Sequence, residues 1–215
     1  MKLYYVQGSP NCRKVHAVIN HLGIKVDFAY LDFFAGDLAT EEFGRINPNR
    51  MVPVLVEGDF KLWESNAIIQ YLAEQVPGNS LFPQDPKMRA EVNRWLCWEL
   101  AHYNQALGTL SFEAVAKPNF LQMETNQPLV DWCKERLGRY APVLEAALQG
   151  RNYLVGDGPT LADYAVAHQE SFVEAVPFDW TPYPNVIAFY HRMRSNPHWA
   201  STAVLPEEMG RRPSK

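Results

Sequence analysis

The order of strand-like and helix-like hydrophobic periods in the first 76 residues constrains the fold more than any other feature of this sequence. Alternation with period two predicts a strand, and apolar residues spaced by three and four predict a helix. The predicted elements, in chain order, are a strand at 2–6, a helix at 11–22, a strand at 26–31, a short helix at 40–45, strands at 52–56 and 61–63, and a helix that opens at 65. A hairpin turn, Glu57-Gly58-Asp59-Phe60, separates the last two strands. The order βαβαββα therefore predicts a mixed α/β sheet with helices packed on it.

The composition changes after residue 76 in a way that is typical of an interdomain linker. Residues 77–86, PGNSLFPQDP, concentrate proline, glycine and polar turn formers. Beyond them no strand-like alternation persists, and the apolar spacing predicts helices at 87–110, 127–149, 160–173 and 185–195. We therefore expect a first domain at 1–76, a linker at 77–86 and an all-α C-terminal domain at 87–215.

The charge balance and the cysteine count exclude several classes of function. The chain carries 20 Lys and Arg residues against 24 Asp and Glu residues, a net charge of -4, so a nucleic-acid-binding surface is not expected. Cys12, Cys97 and Cys133 are odd in number and lack metal-type spacing. Apolar runs stop well short of the roughly 20 residues that cross a bilayer. We expect a protein of a reducing, cytoplasmic compartment, with no bound metal and no membrane partner.

The turn Ser9-Pro10-Asn11-Cys12 lies where the first strand ends and the first helix begins. A helix N-terminus stabilises negative charge, because its first backbone N–H groups have no partner within the helix. This position therefore favours an anion such as a thiolate. Capping of the helix is the alternative role for the side chains of Ser9 and Asn11.

Two further turns fall at the same edge of the predicted sheet. Val52-Pro53 precedes the third strand, and a cis peptide bond there would turn the backbone of Val52 toward the start of the first helix. An ordinary trans proline is the alternative. Glu64-Ser65 leads into the next helix, where Ser65 can act as the N-cap and its amide can bind an anion. Three turns that favour anions or present backbone groups therefore converge on one sheet edge.

These motifs, in this order, resemble the soluble glutathione transferases whose N-terminal domain has the thioredoxin fold. The matching segments are Ser9-Pro10-Asn11-Cys12-Arg13-Lys14, Asn47-Pro48 before Val52-Pro53-Val54-Leu55, Glu64-Ser65-Asn66-Ala67-Ile68, and Gly156-Asp157-Gly158-Pro159-Thr160-Leu161-Ala162-Asp163. The resemblance implies a thioredoxin-like α/β domain followed by an all-α domain, and a cis Val52–Pro53 bond. Thr160 and Asp163 have the spacing of a capping box, for which we expect a folding role only.

The resemblance also implies a role for each matching residue. Ser9 stands where the serine-type classes hold the hydroxyl that donates to the glutathione sulfur, and Asn11 matches the polar residue of the Thr-Pro-Asn turn in the bacterial nu-like class. Both are therefore candidate catalytic residues. The candidate glutathione-binding residues are Arg50, Met51, Val52, Pro53, Glu64 and Ser65. Val52 would pair its backbone with the cysteinyl part of glutathione, and Glu64 and Ser65 would hold the γ-glutamyl end.

Two positions depart from the family pattern at the glycyl end of glutathione. Met51 stands where many relatives carry lysine or glutamine, and Leu38 stands where a polar residue often reaches the glycyl carboxylate. Arg50 can supply a cation for that carboxylate, or it can be a solvated surface charge.

Cys12 occupies the second position of a Cys-x-x-Cys frame whose first position is Ser9. Thioredoxin-like exchange uses the first thiolate as its nucleophile, so a two-cysteine mechanism is excluded. We expect Cys12, Cys97 and Cys133 to pack as small buried residues.

A wall of aromatic residues is expected where a second substrate meets the sulfur. The candidates are Phe34, Trp98, His102 and Tyr103, and the alternative for each is a place in the core or in a dimer interface. The resemblance implies a homodimeric glutathione transferase that uses glutathione as co-substrate and stabilises its thiolate for attack on a small hydrophobic electrophile, as in detoxification. A glutathione-dependent disulfide-bond reductase and a non-catalytic binding protein are the alternatives.

Overall fold

A computed structural model describes residues 1–213, which divide into two compact units. Unit 1 contains residues 1–82 together with the C-terminal residues from 196 onward, and unit 2 contains residues 83–195. The boundary therefore falls inside the expected linker at 77–86. The expected second domain at 87–215 runs past the described residues, and its last part belongs to unit 1 instead of the helical unit.

The helices and strands follow the order that the hydrophobic periods predict. In chain order they are β1 (Lys2–Tyr5), α1 (Pro10–Leu22), β2 (Asp27–Tyr30), α2 (Glu41–Ile46), β3 (Val54–Glu57), β4 (Phe60–Trp63), α3 (Ser65–Glu74), α4 (Pro86–Trp98), α5 (Asn104–Ser111), α6 (Gln127–Leu148), α7 (Leu161–Val166), α8 (Pro184–Ser195) and α9 (Pro197–Ala200). Strand β1 pairs in parallel with β2 and antiparallel with β3, and β3 pairs antiparallel with β4. The mixed sheet, in the order β2-β1-β3-β4, confirms the expected α/β fold of unit 1.

A buried hydrogen bond joins α1 to α3 in unit 1. Lys14 of α1 is almost fully buried, and its Nζ donates to Oδ1 of Asn66 in α3 at 2.6 Å. On the sheet, Leu3 of β1 pairs with Leu55 of β3, and both side chains are fully buried. Because a buried ammonium group is costly without a partner, the bond to Asn66 stabilises the buried Lys14 and links the two helices.

The C-terminal residues return to unit 1 and pack against α1. Trp199 is fully buried, and the guanidinium carbon of Arg13 lies 4.5 Å from the centroid of its ring. Nε of Arg13 also donates to Oγ1 of Thr202 at 3.0 Å. Helix α9 has only 4 residues, so its apolar period is too short to be visible in the sequence. This is why the sequence pattern placed the C-terminal residues in the wrong unit.

Unit 2 is helical, as expected, but two helical segments differ in length from the prediction. The helix expected at 87–110 continues to Leu121 through α4, α5 and two π-helical segments. The helix expected at 160–173 ends at Val166, and a 3-10 turn follows it. All residues from 161 to 170 are buried, so the apolar period does not mark where α7 ends. Within residues 1–213, none of the helices is long and apolar enough to span a membrane.

The capping box at the start of α7 has the expected geometry. Asp163 is fully buried, and its carboxylate accepts hydrogen bonds from the backbone N–H of Leu154 at 2.8 Å and from that of Thr160 at 2.8 Å. The hydroxyl of Thr160 donates to the same carboxylate at 2.9 Å. Asp163 therefore joins the preceding loop to the first turn of α7.

Replacement of Asp163 by alanine is expected to destabilise unit 2 by about 2–4 kcal/mol, because two buried backbone N–H groups lose their acceptor. Urea denaturation followed by circular dichroism measures the change. Asp157→Ala is the matched control, because Asp157 is exposed in the loop before the box; its effect should stay within about 0.5 kcal/mol. Equal losses in the two variants would contradict the folding role of the capping box.

Candidate active site

Unit 1 contains a cavity of about 250 Å³ where three turns meet. They are the start of α1, the turn before β3 and the turn from β4 into α3. The residues that line the cavity are Asn11, Asn47, Asn49, Met51, Val52, Pro53, Trp63, Glu64 and Ser65. The structure thus brings together the three turns that the sequence indicated.

Ser9 is the N-cap of α1, which was the alternative role for this residue. Its Oγ accepts a hydrogen bond from the backbone N–H of Cys12 at 3.4 Å, and Pro10 is the first residue of the helix. A hydroxyl that accepts one bond keeps its own proton, so capping is compatible with donation to a ligand. Among the described residues that line the cavity, Asn11 is present and Ser9 is not; Ser9 lies two residues before Asn11 in the chain.

Asn11 and Ser65 connect the starts of the two helices at the cavity. Oγ of Ser65 donates to Oδ1 of Asn11 at 3.1 Å. Asn11 is thus oriented through its carbonyl oxygen, and its Nδ2 carries N–H donors that a ligand can use. Because both side chains line the cavity, the partial positive charges of two helix N-termini act on one place.

Glu64 is held in an uncommon backbone conformation at the cavity. It occupies the N-cap position of α3, with φ of 71° and ψ of 109°, and Ser65 is the first helical residue. The expectation that Ser65 is the N-cap is therefore wrong: Glu64 holds the N-cap position, one residue earlier. A positive φ costs a non-glycine residue of order 1–3 kcal/mol, and such residues cluster at ligand-binding sites. The conformation brings an exposed glutamate to the cavity wall beside Ser65.

The turn before β3 has the backbone geometry that the resemblance implied. The Val52–Pro53 bond is cis, and both residues line the cavity. Asn47 is buried, and its Nδ2 donates to the carbonyl oxygen of Met51 at 2.8 Å. Its Oδ1 accepts from the backbone N–H of Asn49 at 3.0 Å. Asn47 therefore fixes the backbone that leads to Val52.

Arg50 is directed to a different part of unit 1. Its Nη1 donates to the carbonyl oxygens of Ala39 and Thr40, both at 2.6 Å, and lies 3.4 Å from that of Leu38. Gly44 permits this approach, because a Cβ at that position would lie 2.8 Å from Nη2 of Arg50. The guanidinium thus stabilises the turn before α2. Arg50 is therefore outside the cavity wall, which corrects its expected place as the cation for the glycyl carboxylate, whereas its exposed position agrees with the alternative of a solvated surface charge.

Three residues of the cavity wall were not predicted from the sequence, namely Asn47, Asn49 and Trp63. Asn47 and Asn49 flank a proline in a polar turn, a pattern that indicates a turn but not which way its amides face. Trp63 is 41% exposed at the end of β4, directly before Glu64. A large exposed aromatic residue beside a turn at the sheet edge is the sequence signal that could have indicated it.

The four aromatic residues expected around the second substrate have different environments. Phe34 of unit 1 is 45% exposed. In unit 2, His102 is exposed, and Trp98 stacks on Tyr103 with ring centroids 5.1 Å apart. Tyr103 is fully buried, and its hydroxyl is 3.1 Å from that of Tyr190. Tyr103 is therefore a core residue, which corrects its expected place on a substrate wall.

The cysteines divide into two buried thiols and one exposed thiol. Cys12 and Cys133 are buried as expected, and burial raises the pKa of Cys12 to about 11 and the pKa of Cys133 to about 11. Cys97 is exposed, so the expectation that it is buried is wrong. Trp95 and Leu96 lie on the buried side of α4, and Cys97 lies on its solvent side. Among the described residues, no group of three or more His, Cys, Asp or Glu side chains is placed to hold a metal ion.

Comparison with known families gives two matches that together cover most of the chain. Residues 3–80 match the family described as "Glutathione S-transferase, N-terminal domain". Residues 102–197 match the family described as "Glutathione S-transferase, C-terminal domain".

Individual relatives are similar over nearly the whole chain. Glutathione S-transferase D6 of Drosophila melanogaster is 31% identical over 201 residues, which cover 93% of this chain and 90% of that protein. The crystal structure of glutathione transferase F7 from Populus trichocarpa has a TM-score of 0.85 at 28% identity, covering 94% of this chain and 96% of that chain. A delta-class glutathione transferase of Nilaparvata lugens has a TM-score of 0.77 at 32% identity, covering 94% and 92% respectively.

Cys97 is expected to be the first thiol to be alkylated in the folded protein. Cys12 and Cys133 are buried, and a pKa of about 11 leaves roughly one thiolate per thousand at pH 8. Treatment with iodoacetamide followed by peptide mass spectrometry gives the order of labelling.

Cys97→Ser is the control for this experiment. It should abolish labelling of the folded chain, whereas Cys12 and Cys133 should react once urea unfolds it. Rapid labelling of Cys12 in the folded control variant would contradict the burial of that thiol.

Proposed function

The chain belongs to the glutathione S-transferase family, and from this we propose that the cavity of unit 1 binds glutathione and stabilises its thiolate for attack on a small hydrophobic electrophile. Family membership makes the protein an enzyme with glutathione as co-substrate. The reaction and the second substrate are the subject of the proposal.

The observation that carries the proposal is the meeting of two helix N-termini at one polar cavity. The hydrogen bond of 3.1 Å between Ser65 and Asn11 places the starts of α3 and α1 side by side. Glutathione in its reactive form carries a thiolate and a γ-glutamyl carboxylate near each other, and each is an anion that a helix N-terminus favours. The thiolate would lie at α1, and the carboxylate at α3.

This arrangement gives each part of the tripeptide a partner. The carboxylate of Glu64 would accept hydrogen bonds from the γ-glutamyl ammonium group, and Ser65 would donate to the γ-glutamyl carboxylate. The backbone of Val52 would pair with the cysteinyl amide. The glycyl end would then extend toward Met51 and Asn49, where an amide takes the place of a cation.

The chemical task of the site is to lower the pKa of the glutathione thiol. An alkyl thiol with a pKa near 8.5 is only a few per cent thiolate at pH 7, and lowering that pKa by about two, near 2.7 kcal/mol, makes it mostly thiolate. The hydroxyl of Ser9 and the N-terminus of α1 can together supply this stabilisation. The thiol proton leaves to solvent, the sulfur forms a bond to the electrophilic carbon, and the leaving group departs with the electrons of the broken bond.

Phe34, which is 45% exposed in unit 1, remains a side chain proposed to contact the electrophile, since an exposed aromatic ring suits a small hydrophobic molecule.

We also propose that the protein is a homodimer and that it is cytoplasmic, because the resemblance to the family implies both. Light scattering should give twice the mass of one chain, and a monomer at micromolar concentration would contradict the dimer.

Glutathione-dependent disulfide-bond reduction is the second candidate function, and one observation favours it. Asn11 lines the cavity whereas Ser9 caps the helix beside it, so the residue that matches the nu-like turn is part of the cavity wall. Two glutathione molecules can reduce a disulfide without a protein cysteine. The first thiolate attacks the disulfide, forms a mixed disulfide and releases one substrate thiolate; the second attacks the glutathione sulfur of that mixed disulfide, forms glutathione disulfide and releases the other substrate thiolate. The buried thiol of Cys12 is compatible with this route.

Paired turnover assays separate the candidates. Conjugation of a chloronitroaromatic compound that exceeds reduction of a small hydroxyethyl disulfide supports the transferase reaction, and the reverse order supports the reductase. No turnover of either, in a chain that binds glutathione, would support the non-catalytic alternative.

Glutathione binding measured by calorimetry is expected to be weakened at least about tenfold by Glu64→Gln and by Ser65→Ala, because each variant loses one charge-assisted bond of about 1.5–3 kcal/mol. Arg50→Gln is the matched control, since its guanidinium is bonded to the turn before α2; it should change the affinity by less than about twofold. No binding heat at millimolar glutathione would contradict the proposed function. A larger effect of Arg50→Gln than of Ser65→Ala would contradict the assigned orientation.

The thiolate donor is expected to be Ser9. Ser9→Ala should raise the pKa of bound glutathione by about 1 to 2, because one charge-assisted hydrogen bond is worth about 1.5–3 kcal/mol, and Asn11→Ala should raise it less. The ultraviolet absorbance of the thiolate, titrated at saturating glutathione, reports the pKa separately from affinity. Cys12→Ser is the control and should leave it unchanged. A larger rise in Asn11→Ala would instead assign the sulfur to Asn11, as in the reductase alternative.

A further inference from the structure

Residues 209–212, here called the tail segment, bridge the two loops that follow β1 and β2. The backbone N–H of Gly210 donates to the carbonyl oxygen of Gln7 at 2.7 Å, and the carbonyl oxygen of Gly210 accepts from the backbone N–H of Phe33 at 2.7 Å. Nε2 of Gln7 also donates to the carbonyl oxygen of Arg211 at 3.3 Å. Both backbone groups of Gly210 are therefore used to join these loops.

Two glycines allow the tail segment to approach this closely. Gly8 has φ of +77°, and a Cβ there would lie 2.8 Å from Cγ of Met209. Gly210 has φ of +76°, and a Cβ there would lie 2.7 Å from the ring of Phe34. In both places a side chain would oppose the backbone conformation and also meet a neighbour. The fit between the tail segment and the loops therefore depends on glycine on each side.

Charged side chains add to the same contact. Nη2 of Arg212 lies 2.7 Å from Oδ2 of Asp37, and that oxygen also accepts from the backbone N–H of Asp32 at 2.7 Å. The guanidinium carbon of Arg211 lies 5.1 Å from the centroid of the Phe34 ring. Exposed pairs of this kind contribute little stability, but they fix which residues of the tail segment meet the loop after β2.

The position of this bridge relative to Ser9 suggests its role. Gln7 and Gly8 are the two residues directly before Ser9. On the other side, Ser9 is fixed by its capping bond to the backbone of Cys12. Without the tail segment, the chain leading into Ser9 would keep its own turn bond, from Ser9 to the carbonyl oxygen of Val6 at 3.2 Å, but would lose its bonds to the C-terminal residues.

We propose that the tail segment is a positioning element for Ser9, holding Gln7 and Gly8 so that the Ser9 hydroxyl meets the sulfur of bound glutathione. This inference rests on the proposed function. A hydrogen bond to a thiolate is strong only within a narrow range of distance and angle. A loop that samples other conformations therefore makes this bond for only a fraction of the time. The C-terminal residues thereby influence chemistry at the start of the chain without touching glutathione.

Two variants that break the bridge test the proposal, with a control from the same part of the chain. One is a truncation after Glu208, and the other is Gly210→Ala, which keeps the full chain but places a Cβ against Phe34. Glu207→Gln is the control, because Glu207 is exposed on the turn that precedes the tail segment. Circular dichroism verifies that each variant is folded.

The first measurement is amide hydrogen exchange of the protein without glutathione. Exchange in residues 6–10 and 31–37 should become at least about tenfold faster in both bridge variants and stay unchanged in the control. The second measurement is the pKa of bound glutathione, which should rise by about 0.5 to 1 in the bridge variants. KM for glutathione should change by less than about threefold, because the cavity wall is intact.

The outcomes test three statements separately: that the bridge exists, that it positions Ser9, and that the protein binds glutathione. Unchanged exchange in both variants would overturn the bridge. Faster exchange with an unchanged thiol pKa would overturn its connection to Ser9. If the unaltered chain neither binds glutathione nor lowers the pKa of its thiol, the proposed function fails instead, and the exchange measurement still decides whether the bridge exists.

Discussion

The geometry of unit 1 depends on the buried hydrogen bond between Lys14 and Asn66. An ammonium group in the core needs partners, because leaving it unpaired costs several kcal/mol, and the bond from Lys14 to Asn66 supplies one of them while linking α1 to α3. Asn11 lies three residues before Lys14, on the same face of α1. It meets Ser65, which directly precedes Asn66, at 3.1 Å. The cavity is therefore placed by the contact of two helices, and the loops around it complete its wall.

Most of the fold could be predicted from the sequence because elements such as α3 are two-sided: α3 buries Ile68, Ile69 and Leu72 and leaves Gln70 and Glu74 less covered. Such elements leave a period in the sequence, and the seven elements up to residue 74 follow the predicted order. The hydrophobic period did not predict the helix bounds where an element is buried on all sides or is very short. Residues 161–170 are buried on all sides, so nothing marks the end of α7. Helix α9 is too short to show a period, although Trp199 within it is fully buried.

The part of the candidate site that lies at helix N-termini could be predicted from the sequence. Caps and prolines mark a helix start locally, and this identified Ser9, Asn11 and Ser65 as neighbours of one site. Arg50 was not predictable in the same way. Its backbone has φ of 55°, and its guanidinium bonds to carbonyl oxygens ten and eleven residues earlier in the chain. A charge whose direction depends on a left-handed residue and on distant backbone groups has no local signature.

The return of the C-terminal residues to α1 sets the order in which a newly made chain can finish folding. Arg13 bonds to Thr202, 189 positions later, whereas unit 2 is one continuous stretch, residues 83–195. During synthesis, all residues of unit 2 therefore leave the ribosome before Trp199 and Thr202, which unit 1 needs to complete its core. The first part of the chain to be made is the last to be finished. A chain that stops early would contain the whole segment 3–80 and still lack the residues that cover α1, so it would leave the ribosome with part of its core open to water.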